Sequence, residues 1–278
     1  MIAAKYLTPL AEIKELLATK ELFIFDLDGT LFNTLGDLAP AVNYALKHFG
    51  IAEISMENVR SCIGNGSRNL IRRAVASGIM YGAGKTAGEP IEGKNRAEHL
   101  DVRDAEAVAA VLEHAGFDDA KIDDVLKVYS DYYWDHCTEH TEPYEGVVEF
   151  IDWITSQNVT ARESRKIAAM LTNKPVNPAK KILEKFGLIG RTTDKISFYL
   201  CGDTAPERKP SPAGIFAILK ATGVAPEKAV MIGDDTPDVM AAKNAGIDCI
   251  ALLKGFGRPE NLLPLKPKYT IGHIKDLL

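Results

Sequence analysis

Cysteine is scarce in this 278-residue chain: Cys62, Cys137, Cys201 and Cys249 lie far apart and form no CxxC pair. That excludes a disulfide framework and a zinc ribbon and fits a reducing compartment. Long apolar runs are missing too, since none approaches the roughly 18 residues a membrane span requires. The first twenty residues are broken by Lys5, Glu12, Lys14 and Glu15, so they hold neither the apolar centre of a signal peptide nor a membrane span. A cytoplasmic protein with no membrane partner is expected. Positive charge is not in excess: 33 basic against 38 acidic residues leave a net charge of −5 with no basic block, which excludes the electrostatic footprint of a nucleic-acid binder. Internal repeats and low-complexity tracts are also lacking.

What the chain does have is apolar material, 46% of its residues, enough for one or two packed domains. The apolar run Leu22 to Phe25 stops abruptly at Asp26-Leu27-Asp28-Gly29-Thr30, the pattern of a buried strand that delivers polar residues at its carboxyl end. Three later runs do the same: Lys166 to Leu171 into Thr172-Asn173-Lys174-Pro175, Ile196 to Leu200 into Cys201-Gly202-Asp203, and Ala229 to Ile232 into Gly233-Asp234-Asp235. Helical stretches follow them, Pro178 to Phe186, Ser211 to Thr222 and Pro237 to Ala245, each stopped by glycine. Strand and helix in alternation predict an α/β fold with a parallel sheet, whose ligands bind at the carboxyl ends of the strands.

The middle of the chain differs. Asp37 to His48, Ser67 to Ser77, Ala105 to Ala115 and Lys121 to Cys137 read as amphipathic helices; in the last, Ile122, Val125, Leu126, Tyr129, Tyr132 and Tyr133 make one apolar stripe. The predicted organisation is a core from 1–35 (including an N-terminal helix) and 142–278, interrupted by a helical insert over 36–141. Tyr81 to His99, rich in glycine and charge, is expected to be a long excursion of that insert.

Asp26 and Asp28 are two apart, so in an extended segment both carboxylates face the same side at the mouth of a sheet, beside a flexible Gly29. Such a pair can divide labour, one attacking an electrophile and the other handing a proton to the leaving group, or it can simply form a turn.

Taken together, the chain resembles the haloacid-dehalogenase-like superfamily. The four motifs that carry the resemblance are Asp26 to Leu31, the strand ending at Thr172, Lys209, and Gly233-Asp234-Asp235-Thr236-Pro237-Asp238, in that order. Finer matches, Thr172-Asn173-Lys174-Pro175, Gly202-Asp203-Thr204 with Glu207-Arg208-Lys209-Pro210, and Gly64-Asn65-Gly66 followed by Leu70, Arg73 and Ala74, look most like its phosphoglycolate phosphatase branch. The resemblance implies a Rossmann-like core with an inserted α-helical cap. It makes Asp26 the nucleophile that forms an aspartyl-phosphate and Asp28 the acid/base. The implied cofactor is Mg²⁺, held by Asp26, Asp234 and the backbone carbonyl of Asp28. The implied partner is a small phosphate ester, phosphoglycolate being the leading candidate, with the enzyme a monomer or homodimer.

Residue chemistry agrees with that picture. Phosphoryl transfer asks chiefly for positioning and positive charge, and Thr172, Asn173 and Lys209 offer a hydroxyl, an amide and an ammonium. Asn173 is open between a phosphate donor and a turn residue. Asp238 is expected behind the ligands, holding Lys209 or a water on the metal, or else it is a first-turn acid favoured by the helix dipole. Asp235 stands where the family often has serine and could support the metal or accept backbone hydrogen bonds; Asn33 replaces a frequent aspartate. In the insert, Asn65 and Arg73, with Arg68 and Arg72 nearby, are candidates for a substrate carboxylate at a helix start, the alternative being solvated arginines.

Three signals are discounted. Gly84-Lys85-Thr86 imitates a nucleotide-binding loop, but the position five before Gly84 is Ile79, Gly78 is one residue off, and no strand precedes it. His136 and His140 lack a third zinc ligand. Tyr132, Tyr133 and Trp134 read as core aromatics, not a base-stacking platform. The rival functions are a sugar phosphomutase with the same motifs, a dehalogenase, which has no alkoxide for Asp28 to protonate, and a catalytically weak binding protein.

Overall fold

In the computed structural model, which describes residues 6–81, 100–160, 166–190 and 194–278, Leu22–Phe25 form a strand, β1, with all four residues buried. Burial on both faces follows from its place in a six-stranded sheet. Ile167–Leu171 (β4), Ile196–Leu200 (β5), Ala229–Gly233 (β6), Asp248–Leu252 (β7) and Tyr269–Ile271 (β8) complete the order β5-β4-β1-β6-β7-β8, and every pairing is parallel. A separate short ladder joins Phe32–Asn33 (β2) to Glu142–Pro143 (β3) in antiparallel fashion.

Side chains alternate across this sheet. Phe23, Phe25, Met170, Val230 and Ile232 pack with helices α1 (Leu10–Thr19), α7 (Val147–Thr160) and α8 (Val176–Lys185) through Ile13, Phe150, Ile154 and Ile182. Leu22, Ile24, Ala169, Leu171 and Met231 pack on the other face with α9 (Ala213–Thr222) and α10 (Thr236–Ala245) through Ile215, Ile218, Val239 and Ala242. Each large apolar side chain so buried contributes about 1.5–3 kcal/mol, which fixes the register and hence the strand ends. The expected α/β architecture with a parallel, helix-flanked sheet is present. β7 and β8, and helix α7, were not anticipated. β7 continues an apolar run that begins directly after the glycine closing α10, whereas β8 is only three residues long and α7 mixes β-branched residues into its helical spacing.

The chain divides into two compact units, Met1–Asn33 with Glu142–Leu278, and Thr34–Thr141. The sheet belongs to the first. The second, among its described residues, is built from α2 (Leu35–His48), α3 (Met56–Cys62), α4 (Ser67–Tyr81), α5 (Ala105–His114) and α6 (Asp119–His136). Of the α6 stripe, Ile122, Val125, Tyr129 and Tyr133 are buried in this unit's own core. Its two ends are tied together by a buried carboxylate: Asp37 accepts from the backbone of His140 (2.8 Å) and Thr141 (2.8 Å) and from the Thr141 hydroxyl (2.7 Å). The Gly84-Lys85-Thr86 segment, and the excursion after Tyr81, lie outside the described residues.

No helix among the described residues is long and apolar enough to cross a membrane. All four cysteines are buried and none is in a disulfide. Burial pushes the Cys62 thiol up to about 11 and the Cys201 thiol up to about 12, which keeps them protonated and unreactive.

Candidate active site

The carboxyl ends of four neighbouring strands supply the polar residues. Asp26 follows β1, Thr172 follows β4, Lys209 lies in the loop after β5 and Asp234 follows β6. β1 is flanked by β4 on one side and β6 on the other, so the chain path changes direction here, as it does wherever open parallel sheets form a binding crevice. The backbone N–H of Asp26 donates to Ile232 O at 3.0 Å, carrying the β1–β6 ladder one residue past the strand. Leu27 and Leu31, both fully buried, pin the turn that contains Asp28, Gly29 and Thr30.

Lys209 is the hub. Its buried ammonium lies 2.8 Å from Asp26 Oδ1 and 2.6 Å from Asp238 Oδ1. Burial works against its charge, but the two carboxylates outweigh that and hold it protonated above its usual range. Its backbone is clasped by Asn173, whose Nδ2 donates to Lys209 O (3.0 Å) while Oδ1 accepts from Lys209 N (2.9 Å). The first use of the Asn173 amide is therefore to fix the segment that carries Lys209. Thr172 Oγ1 accepts from Lys174 N at 3.2 Å, which leaves its O–H as a donor.

Asp234 is enclosed by donors. Thr30 Oγ1 donates to Oδ1 at 2.6 Å, and the backbone N–H groups of Phe256 and Gly257 donate to Oδ2 at 2.7 and 3.1 Å. Glycine is required nearby: Gly29 has φ +85°, and a Cβ there would strike the Asp234 carboxylate. Asp235 caps α10, its Oδ1 accepting from Thr236 N at 2.8 Å, and Asp238 Oδ2 accepts in turn from Asp235 N at 3.0 Å. Asp238 is thus both a capping acid and the partner of Lys209.

Asp26, Asp234 and Asp238 each offer an oxygen within 4.8 Å of the others, and all three residues are buried. Three carboxylates against one ammonium leave negative charge uncompensated. Burial, reinforced by Asp238 and Asp26, pushes the Asp234 carboxyl well above its usual range despite the Thr30 hydrogen bond, and burial pushes Asp238 up to about 7 against the pull of Lys209. Asp26 Oδ1 is buried against the Lys209 ammonium, 2.8 Å away. Buried, all-oxygen and short of positive charge, the set fits a hard divalent ion such as Mg²⁺. The Asp28 carboxylate is not in the cluster. It turns instead to the buried Lys174, whose ammonium donates to Oδ1 at 2.8 Å and Oδ2 at 3.2 Å, so only its backbone carbonyl is left for the ligand role expected of it.

In the helical unit, Arg73 donates to Asn65 Oδ1 (2.8 Å) and Cys62 O (3.1 Å). Arg68 pairs with Asp119 and Asp123, and Arg72 with Asp119. These arginines are balanced by acids or spent on a loop, not solvated singly. His136 stacks on Tyr132 with centroids 4.2 Å apart and pairs with Glu139 at 2.7 Å, while His140 gives its backbone to Asp37. Among the described residues the one carboxylate, histidine or cysteine group suited to a metal is that of Asp26, Asp234 and Asp238.

A parallel sheet with acids and a lysine on adjacent strand ends defines a class of hydrolase, and comparison with known proteins identifies it. Residues 23–252 match the haloacid dehalogenase-like hydrolase family model. The chain is 33% identical over 258 residues to phosphoglycolate phosphatase 1 of Pseudomonas aeruginosa, covering 92% of this chain and 78% of that protein. It is 31% identical over 258 residues to the phosphoglycolate phosphatase of Pseudomonas savastanoi, covering 93% and 78%. The fold is similar to the crystal structure of a predicted phosphoglycolate phosphatase from Haemophilus somnus, with TM-score 0.71, 25% identity and coverage of 93% and 96%. The chain belongs to the haloacid dehalogenase-like hydrolase family and is an enzyme of its phosphatase branch.

Three features escaped the reading of the sequence. Lys174 was noted in its motif but given no task, although a lysine right after a buried strand was the available signal. Thr30 was likewise only part of a motif. The Gly255-Phe256-Gly257 loop signalled itself as glycines just past an apolar run.

Proposed function

We propose that the protein is a Mg²⁺-dependent phosphomonoester hydrolase acting on a small phosphorylated metabolite, phosphoglycolate first, through an aspartyl-phosphate on Asp26. The observation that carries this reading is the ammonium of Lys209 set 2.8 Å from a buried Asp26 oxygen within a three-carboxylate cluster. The phosphoglycolate phosphatases of Pseudomonas support the substrate.

In this reading an Asp26 oxygen attacks phosphorus as the bond to the leaving oxygen breaks, and Asp28 gives that oxygen its proton. Water then attacks the aspartyl-phosphate, Asp28 takes a proton from it, and phosphate leaves with Asp26 restored. Lys209, Thr172 and Asn173 are assigned to the phosphoryl oxygens, where positive charge and donors count most. Mg²⁺, held by Asp26, Asp234 and the Asp28 carbonyl, would neutralise charge on the phosphoryl group, with Asp238 and Asp235 behind it. The helical unit is assigned the choice of leaving group, since the core residues recognise phosphate alone.

Asp26→Asn tests it. The amide is a far poorer nucleophile of nearly equal size, so turnover should be abolished with circular dichroism and Tm retained. Appreciable steady-state hydrolysis by a verified, undeamidated variant would overturn the reading. A comparison of kcat/KM across phosphorylated metabolites tests the substrate.

A further inference from the structure

We infer that Lys174 is a positioning residue for the catalytic cycle, acting through Asp28. The inference rests on the proposed function, in which Asp28 serves the leaving group. The Lys174 side chain is only 3% exposed, while that of Asp28 is 15% exposed at the mouth of the sheet. Its ammonium reaches both oxygens of the Asp28 carboxylate, at 2.8 and 3.2 Å. Two contacts from one donor group fix the plane of that carboxylate as well as its distance.

The lysine itself is held from behind. Its backbone N–H donates to Thr172 Oγ1, and its carbonyl accepts from Gly202 N at 2.9 Å, so the segment is locked between the ends of β4 and β5. A glycine is needed at 202, because a Cβ there would collide with the Asn173 carbonyl. A buried lysine is costly to desolvate and to order. Here the ordering is already provided by the backbone, and the ammonium meets both oxygens of the Asp28 carboxylate. Lys209 holds the nucleophile Asp26 and Lys174 holds Asp28: the two acids, two residues apart, are each gripped by a different buried lysine. Asp26 directly follows β1 and Asp28 lies in the turn after it, and separate cations keep the two acids apart in role.

The test uses Lys174→Met, which keeps the length of the side chain and suits a buried site, with three esters: phosphoglycolate, glycerol phosphate and an activated aryl phosphate. Removing acid–base help costs about 10²- to 10⁴-fold in rate. A misplaced acid should cost at least about 10-fold in kcat on both alkyl esters, with KM changed less than about threefold and the aryl ester spared. In the Asp28→Asn background the same substitution should add less than about twofold, because a residue that acts through Asp28 has nothing left to act on. Lys174→Gln, which keeps one donor for Asp28, should recover part of the alkyl-ester rate, and it carries the cycle if the Met variant fails to fold. Equal losses on all three esters, or a loss that persists undiminished in Asp28→Asn, would overturn the inference. So would a loss confined to phosphoglycolate, which would make Lys174 a carboxylate-recognition residue. If the wild-type enzyme hydrolyses none of the three, the proposed function falls and this inference with it; if the wild type is active but Asp28→Asn spares the alkyl esters, the phosphatase reading stands and this inference falls, because Lys174 then has no catalytic acid to position.

Discussion

Lys209 donates to Asp238 Oδ1 across 2.6 Å while standing 2.8 Å from Asp26 Oδ1. One buried cation is thus shared by the acid proposed as nucleophile and by a second acid at the start of α10. Asp238→Asn would keep the shape and remove the charge that balances the ammonium. A charge-assisted hydrogen bond is worth about 1.5–3 kcal/mol, so kcat is expected to fall by about 10- to 150-fold with the fold retained. Steady-state kinetics with circular dichroism check it; an unchanged kcat would remove Asp238 from the support of Lys209.

Thr30 is the donor that no reading of the motif singled out. Its hydroxyl is buried and bonds Asp234 Oδ1 at 2.6 Å. Thr30→Val leaves the volume nearly unchanged but strips a buried carboxylate of one partner, at an expected cost of about 1–3 kcal/mol. Thermal melting should show the loss, and Thr30→Ser should recover most of it. Equal melting of the Val variant and the wild type would show that the hydroxyl contributes nothing.

Metal binding should depend on pH through the same cluster. Burial raises Asp238 from 3.8 to about 7, and Asp234 moves in the same direction. A raised carboxyl keeps its proton in the folded chain where the unfolded chain has lost it. Its contribution to stability therefore declines as pH climbs from about 4 towards 7 and stays lost above that. A cation competes with those protons, so Mg²⁺ should raise Tm more at pH 7.5 than at pH 5.5, by up to about 2.7 kcal/mol of stability at a hundredfold excess over Kd. Chelator should reverse the rise and abolish activity, and Asp234→Asn should remove it. A rise of equal size at both pH values would place the ion elsewhere.

The legible part of this protein was whatever is written in local order. Apolar runs that end in Asp26, Thr172 and Asp234 announce strands and, with them, the edge at which their polar residues gather, because a parallel sheet buried on both faces leaves its strand ends as the place for polar chemistry. The partners of those residues were not legible. Asp234 takes its donors from Thr30, 204 residues earlier, and from Phe256 and Gly257, 22 and 23 residues later. Asn173 offers an amide that a sequence cannot aim, and the structure aims it at the backbone of Lys209. Lys174 stands in a motif that names no partner for it, and only the folded chain brings its buried ammonium to Asp28. Side-chain direction is a property of the assembled sheet, so residue types could be assigned from the sequence but their contacts could not.

Arg73 gives the last test. Its place on a helix with neighbouring arginines makes it a candidate for a substrate carboxylate, but its guanidinium is engaged within its own unit: Nη2 donates to Asn65 Oδ1 at 2.8 Å and Nη1 to Cys62 O at 3.1 Å. These bonds close the loop between α3 and α4, whose Gly64 and Gly66 have φ of +132° and +85°. A loop with two such glycines has much conformational freedom to lose, and a planar fork that reaches both of its sides is a means of holding it. Arg73→Ala is expected to destabilise the protein by about 1–3 kcal/mol. Arg73→Lys should not restore it, since one ammonium cannot span both acceptors. Asn65→Ala should repeat much of the effect, and the double variant should be little worse than Arg73→Ala alone, because the two share one interaction. In kinetics the clasp predicts equal losses of kcat/KM on phosphoglycolate and on an aryl phosphate. A loss of about 10- to 150-fold on phosphoglycolate alone, the worth of a charge-assisted bond, would instead assign Arg73 to the substrate carboxylate.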